Sequence, residues 1–118
     1  MQATSTTQAT LNMWKQALGQ LVSRQGPDLS SRQMAILLIV YLEDPPHTVR
    51  GLAARLKISK PAVTRALDSL GKLELLKRKP DEKDMRSVNV VRTVKGSVYL
   101  SEIAEVIEKA AWENLGGT

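Results

Sequence analysis

The segment S-K-P-A-V-T-R, residues 59–65, sets two hydroxyls, two cations and a small side chain at the start of a helical pattern. Val63, Ala66, Leu67 and Leu70 follow one another at i, i+3, i+4 and i+7, which makes one apolar face of a helix. The opposite face then carries Lys60, Ala62, Thr64, Arg65, Asp68 and Ser69. Such a face offers close approach at Ala62, a hydroxyl at Thr64, and at Arg65 a planar fork that makes bidentate hydrogen bonds to guanine. Its chemistry is the reading of base edges in a DNA major groove. The plainer alternative is an ordinary solvated helix face.

Catalysis has fewer candidates. The chain has no Cys and a single His, His47, so thiol nucleophiles, disulfides and zinc-finger-type sites are excluded. His47 follows Pro45-Pro46 in a loop and is expected to be structural or solvated. Asp81, Glu82 and Asp84 are three carboxylates close enough in sequence to hold a cation. Lys77, Arg78, Lys79, Lys83 and Arg86 surround them and would repel one. No enzyme activity, cofactor or metal is expected.

The elements that must position the polar face can be read from its flanks. Leu52, Ala53 and Leu56 mark a short helix, and only K-I-S separates it from the next. A turn that short makes two helices cross steeply, the helix-turn-helix arrangement. Ala53 provides the small residue at the crossing, Ile58 plugs the angle, and Ser59 caps the second helix with Pro61 in its first turn. Leu75 to Lys79 and Val88 to Arg92 then read as two strands joined by the polar loop P-D-E-K-D-M-R. A basic hairpin of this kind beside a recognition helix reaches an adjacent minor groove, where narrow A·T tracts attract Arg. A solvated hairpin tip is the plainer alternative. Ser59, Lys77, Lys79 and Lys83 are expected on the phosphate backbone.

Between Arg50 and Lys95 there are 13 Lys and Arg against five Asp and Glu, a net of +8; the remainder carries four against seven, a net of −3, and the two make the +5 of the whole chain. Charge so concentrated on one region is the footprint of phosphate contact. Charge alone also suits RNA or anionic lipid; the groove-facing helix selects DNA.

The loop Asp81-Glu82-Lys83-Asp84-Met85-Arg86, followed by S-V-N-V-V-R and then by Thr93 and Gly96, resembles the D-x-R-D-x-R wing pattern of the MarR family of winged helix-turn-helix transcription regulators. The resemblance covers about residues 29 to 100, and the wing is its most specific part. It implies that Arg86 enters a minor groove and that Asp84 holds it in position. Lys83 replaces the first Arg of the pattern and keeps charge but loses the planar fork. Lys57 and Glu74 stand where the family often has Gly, at turns that favour left-handed backbone. Many relatives release DNA when a small aromatic acid binds. Here Phe is absent and only two Trp and two Tyr occur; Trp14 and Tyr41 are the candidates to line such a pocket, core packing is the expected job of both, and no effector is named.

The rest of the chain reads as support. Residues 1–10 are polar without period and are expected to be a disordered tail. A single domain is expected over 11–115, with helices at about 11–25 and 94–115, and a short tail at 116–118. Leu11, Trp14 and Leu18 form a stripe on the first helix, ended by Gly26-Pro27. Ser30 and Gln33 offer a capping box for a buried helix through Met34 to Leu42. That nine-residue apolar run is too short to span a bilayer, and no signal pattern precedes it, so a cytoplasmic, nucleoid-associated protein without a membrane partner is expected. Thr48 and Thr93 are further cap candidates. Leu100, Ile103, Ile107 and Ala110 repeat at 3, 4, 3 on the last helix. Two apolar stripes exceed what one short domain buries, so a two-fold homodimer joined by both ends is expected; the alternative is that each stripe covers its own core.

The fold expected is mainly α with a small β-hairpin wing (α+β), a winged helix-turn-helix with terminal dimerisation helices. The function expected is sequence-specific binding of double-stranded DNA at a palindromic operator. An architectural DNA binder or a winged-helix interaction module is the alternative. The sequence carries no sign of the operator, of repression or activation, or of further protein partners.

Overall fold

The computed structural model describes residues 5–116. The elements, in chain order, are helix α1 (Ser5–Ser23), α2 (Ser31–Leu42), α3 (Val49–Leu56), α4 (Lys60–Lys72), strands β1 (Leu76–Pro80) and β2 (Val88–Arg92), and helix α5 (Val94–Leu115). They form two compact units, one of Leu29–Tyr99 and one that joins residues up to Asp28 with residues from Leu100 onward. Five helices and a two-stranded antiparallel hairpin make a winged helix, the fold class expected. Among the described residues no helix is long and apolar enough to cross a membrane.

The unit Leu29–Tyr99 is built by local signals at every helix start. Ser30 and Gln33 form the reciprocal capping box of α2, Thr48 accepts from the Gly51 amide, and Ser59 accepts from the Ala62 amide. Each satisfies a first-turn N–H that has no helical partner. Lys57, at φ 57°, and Glu74, at φ 61°, adopt the left-handed backbone expected at the turns where Gly is usual. For α3 this is the left-handed stop that turns the chain into α4 within three residues. The core is Ile36, Leu37 and Val40 of α2, Leu52 and Ala53 of α3, Val63, Ala66, Leu67 and Leu70 of α4, then Leu75, Leu76 and Val90.

Polar side chains fasten this core to the hairpin. The Tyr41 hydroxyl donates to the Leu75 carbonyl at 2.6 Å and accepts from the Thr93 amide at 2.9 Å. The Thr93 hydroxyl donates to the Glu74 carbonyl and accepts from the Gly96 amide, which caps α5. Gly96 lies so close to this junction that a Cβ would overlap both the Tyr41 hydroxyl and the Leu75 carbonyl. Arg92 donates to the Val40 and Glu43 carbonyls, covering the end of α2. His47 is buried, with Nε2 3.1 Å from the Glu43 carbonyl oxygen, and its own carbonyl accepts from Val90. Of the two readings of His47, the structural one is right. The Pro45–Pro46 peptide before it is cis.

Arg55 and Glu43 form a two-pronged bridge from α3 to the end of α2, both contacts at 2.7 Å. The hydrogen bonds from Arg55 hold the Glu43 carboxyl below its ordinary value of 4.5. A carboxyl lowered in the folded state stabilises above its unfolded value and loses that stabilisation as pH falls through the folded one. Urea unfolding should therefore show a small loss of stability below pH 4.5, and Glu43→Gln should remove that part of the acid dependence. Both groups are largely exposed, so the effect is expected to be modest.

The other unit pairs α1 with the second half of α5. Gln16 donates to Glu113 at 2.7 Å and accepts from Asn114 at 2.8 Å, and Arg24 pairs with Glu102 at 2.5 Å. The order of these contacts makes the two segments antiparallel. Two expectations need correction here. Helix α1 begins at Ser5, so residues 5–10 are helical, not a disordered tail; extending an existing helix fixes one residue per hydrogen bond and needs no apolar period. Residues 1–4 and 117–118 of the two expected tails lie outside the described residues. Ile103 and Ala110, expected to face a second subunit, are already buried within the protomer. Leu11, Trp14 and Leu18 are exposed at 46%, 46% and 41%, and Leu100 and Ile107 are half-buried.

Candidate nucleic-acid interface

Helix α4 presents its residues as its cap and its core dictate. Ser59 spends its hydroxyl as an acceptor on the Ala62 amide at 3.2 Å but stays exposed. Lys60 and Arg65 are exposed and Thr64 is half-buried. Ala62 is the exception. It is 6% exposed, so it does not face a groove as expected. The buried stripe of α4 is wider than the Val63–Leu70 series, because Ala62, one turn before Ala66, joins it on the side of the start of α2. Ala62, Ala66, Arg65 and Ser69 line a shallow cleft there with Ser30 and Arg32.

The hairpin is in regular register, from Leu76 opposite Arg92 to Pro80 opposite Val88. Leu76 is buried, and by the two-residue alternation of a strand Arg78 shares its face. Arg78 uses it to reach α4, where its guanidinium lies 2.6 Å from the Asp68 carboxylate. Lys77 and Lys79 fall on the other face, exposed, and line neither depression beside α4.

The loop between the strands is held by its own carboxylates. Asp81 accepts from the Lys83 amide at 2.8 Å. Asp84 accepts from the Arg86 amide at 3.1 Å and from the Ser87 hydroxyl at 3.3 Å. The Asp81 amide donates to the Ser87 carbonyl, and the Ser87 amide to the Asp84 carbonyl. These bonds use Asp81 and Asp84, two of the three carboxylates that had invited comparison with a metal site. The Arg86 guanidinium stands 3.7 Å from Asp84 with its side chain 97% exposed.

Three elements converge on an open groove of about 430 Å³. Thr48, Val49 and Arg50 come from the start of α3, Lys60 from the start of α4, and Asp84, Arg86, Ser87 and Val88 from the hairpin. The structure thus brings together Lys60, Asp84 and Arg86 of the expected set and adds Arg50. Arg50 and Arg32 escaped the sequence reading; each lies in the first turn of a helix whose cap was recognised, which places its side chain near the end facing α4. Other cations of the basic region do structural work. Arg55, Arg78 and Arg92 are tied to Glu43, Asp68 and backbone carbonyls. The Tyr41 hydroxyl is likewise committed to the junction with Thr93.

The model of the MarR family matches residues 29–88. Among solved structures, a variant of S. aureus MepR bound to an oligodeoxyribonucleotide is 21% identical with a TM-score of 0.77, over 94% of this chain and 79% of that one. The transcriptional regulator BldR from Sulfolobus solfataricus is 29% identical with a TM-score of 0.64, over 94% of this chain and 80% of that one. A structure of S. aureus MepR in complex with DNA is 21% identical with a TM-score of 0.68, over 86% and 78%. Among curated proteins no sequence match is found.

Proposed function

The chain belongs to the MarR family, and from that premise we propose that it is a sequence-specific, double-stranded DNA-binding transcription regulator that reads a palindromic operator as a homodimer. The observation that carries this reading is the groove in which Arg50, Lys60 and Arg86 converge from three elements at the exposed start of α4. Helix α4 lies in the major groove, with Thr64 and Arg65 on base edges and Lys60 beside them. Arg86, steadied by Asp84, enters the neighbouring minor groove. Ser59, Lys77, Lys79 and Lys83 meet the backbone. The oligodeoxyribonucleotide and DNA complexes of MepR support the choice of partner.

The dimer rests on apolar surface. Leu11, Trp14, Leu18 and Val22 of α1 and Trp112 and Leu115 of α5 are all exposed in the single chain. Their burial between two copies, with Leu100 and Ile107, gives a two-fold assembly whose recognition helices match half-sites about one DNA turn (~34 Å) apart.

Selection of genomic fragments by the purified protein near physiological salt tests the reading. A palindromic motif among the bound fragments is the result expected. Fragments with no shared motif would instead mark an architectural binder, and recovery of none by folded protein would leave an interaction module. Arg50→Ala should weaken binding to all sequences about equally. It should also reduce the steepness of the salt dependence by about one, because one phosphate contact is lost. Titration at several salt concentrations reads both effects.

A further inference from the structure

We propose that Met85 is a second minor-groove residue of the wing, its side chain packing on the deoxyribose wall of the groove that receives Arg86. The proposal rests on the reading of the wing above and names a contact that reading lacks. The Ser87 amide donates to the Asp84 carbonyl at 2.9 Å, which closes a four-residue turn. Met85 and Arg86 are its two central residues, in the loop that joins the two strands. The turn is braced from within by the Asp84 carboxylate on the Arg86 amide and the Ser87 hydroxyl, and from below by the Asp81 amide on the Ser87 carbonyl. Both side chains are open to solvent: Met85 is 73% exposed and the Arg86 side chain 97%.

An apolar side chain so exposed leaves most of its surface uncovered in the free protein. The other described methionines, Met13 and Met34, are both half-buried. Water around the Met85 thioether is unfavourable, and its release on contact with an apolar surface is a gain. The minor groove of B-DNA supplies that surface at the right scale. It is about 6 Å wide, too narrow for a helix but open to one linear side chain. An unbranched thioether adapts to an irregular wall, and apolar side chains recur among minor-groove contacts. Met85 and Arg86 then divide the work: the cation answers the negative potential of the groove, and the thioether packs on its side.

The two contributions separate by salt. A cation that enters the groove releases counterions, whereas an apolar contact releases none. The test compares the full chain with Met85→Gln, Met85→Leu and Arg86→Ala, using as probe a duplex that carries the motif recovered by fragment selection. Thermal unfolding first establishes that all four are equally folded. Met85→Gln keeps the length of the side chain and loses its apolar character; it should bind on the order of tenfold more weakly, with the salt dependence unchanged. Met85→Leu should stay near the original affinity. Arg86→Ala should bind more weakly with a flatter salt dependence. Undiminished binding by Met85→Gln beside a loss in Arg86→Ala, or an equal loss in the Gln and Leu variants, would overturn the assignment and leave the wing reading standing. Undiminished binding by both Met85→Gln and Arg86→Ala would contradict the wing reading itself.

Discussion

Arg65→Ala should lower affinity for the operator by about 1–3 kcal/mol and relax the sequence requirement at one base position. Arg65 is exposed on α4, nearly two turns beyond the Ser59 cap. Its guanidinium has the fork that matches the two acceptors of guanine, which an ammonium lacks, so Arg65→Lys should recover little of the loss. The measurement is an anisotropy titration of the operator and of its single-base variants. The wild-type chain should discriminate strongly at the affected position and the Ala variant weakly, while binding to unrelated duplex changes much less. This pattern differs from that of Arg50→Ala, where all sequences weaken together. An Arg65→Ala chain that retains full discrimination would remove α4 from its role as the reading element.

Gly96→Ala should destabilise the winged unit by about 3 kcal/mol. The added methyl would meet the Tyr41 hydroxyl and the Leu75 carbonyl, and the second of these is backbone and cannot rotate away. Relief requires movement of the whole junction of α2, β1 and α5, where Tyr41 and Thr93 hold four backbone groups together. Combining it with Tyr41→Phe should not restore stability, because the Leu75 carbonyl remains in place. Gly71→Ala is the contrasting case. It sits in α4 with open space at its Cβ, and the substitution should stabilise by up to about 1 kcal/mol through helix propensity alone. Urea unfolding at one fixed protein concentration compares the variants without interference from dimerisation.

These contrasts mark what a sequence makes legible. Ser30, Thr48, Ser59 and Thr93 all cap as expected, because a cap is decided within three or four residues. The left-handed turns at Lys57 and Glu74 followed instead from the family resemblance, since neither residue is the Gly that would mark such a turn by itself. What escaped depends on partners far along the chain. Arg92 reaches carbonyls 49 and 52 residues away, and nothing in the run V-N-V-V-R distinguishes it from a phosphate-binding cation. Arg78 is diverted to Asp68 by strand alternation that becomes meaningful only once α4 is packed beside it. Ala62 is small enough to sit on either side of a helix boundary, and its burial is set by the approach of α2. Ile103 and Ala110 share a heptad-like stripe with Leu100 and Ile107, yet are fully committed inside the protomer. Periodicity finds an apolar face but does not say whether the same chain or a second copy covers it.

The central claim is that this fold reads sequence. The most direct measurement is the affinity of the purified protein for the selected duplex and for a scrambled duplex of equal length and composition, at one physiological salt concentration. A ratio of about 10³ or more is predicted, with the ratio falling when Arg65 is replaced. A ratio near one, with both duplexes bound through the same steep salt dependence, would contradict the account and leave only phosphate attraction.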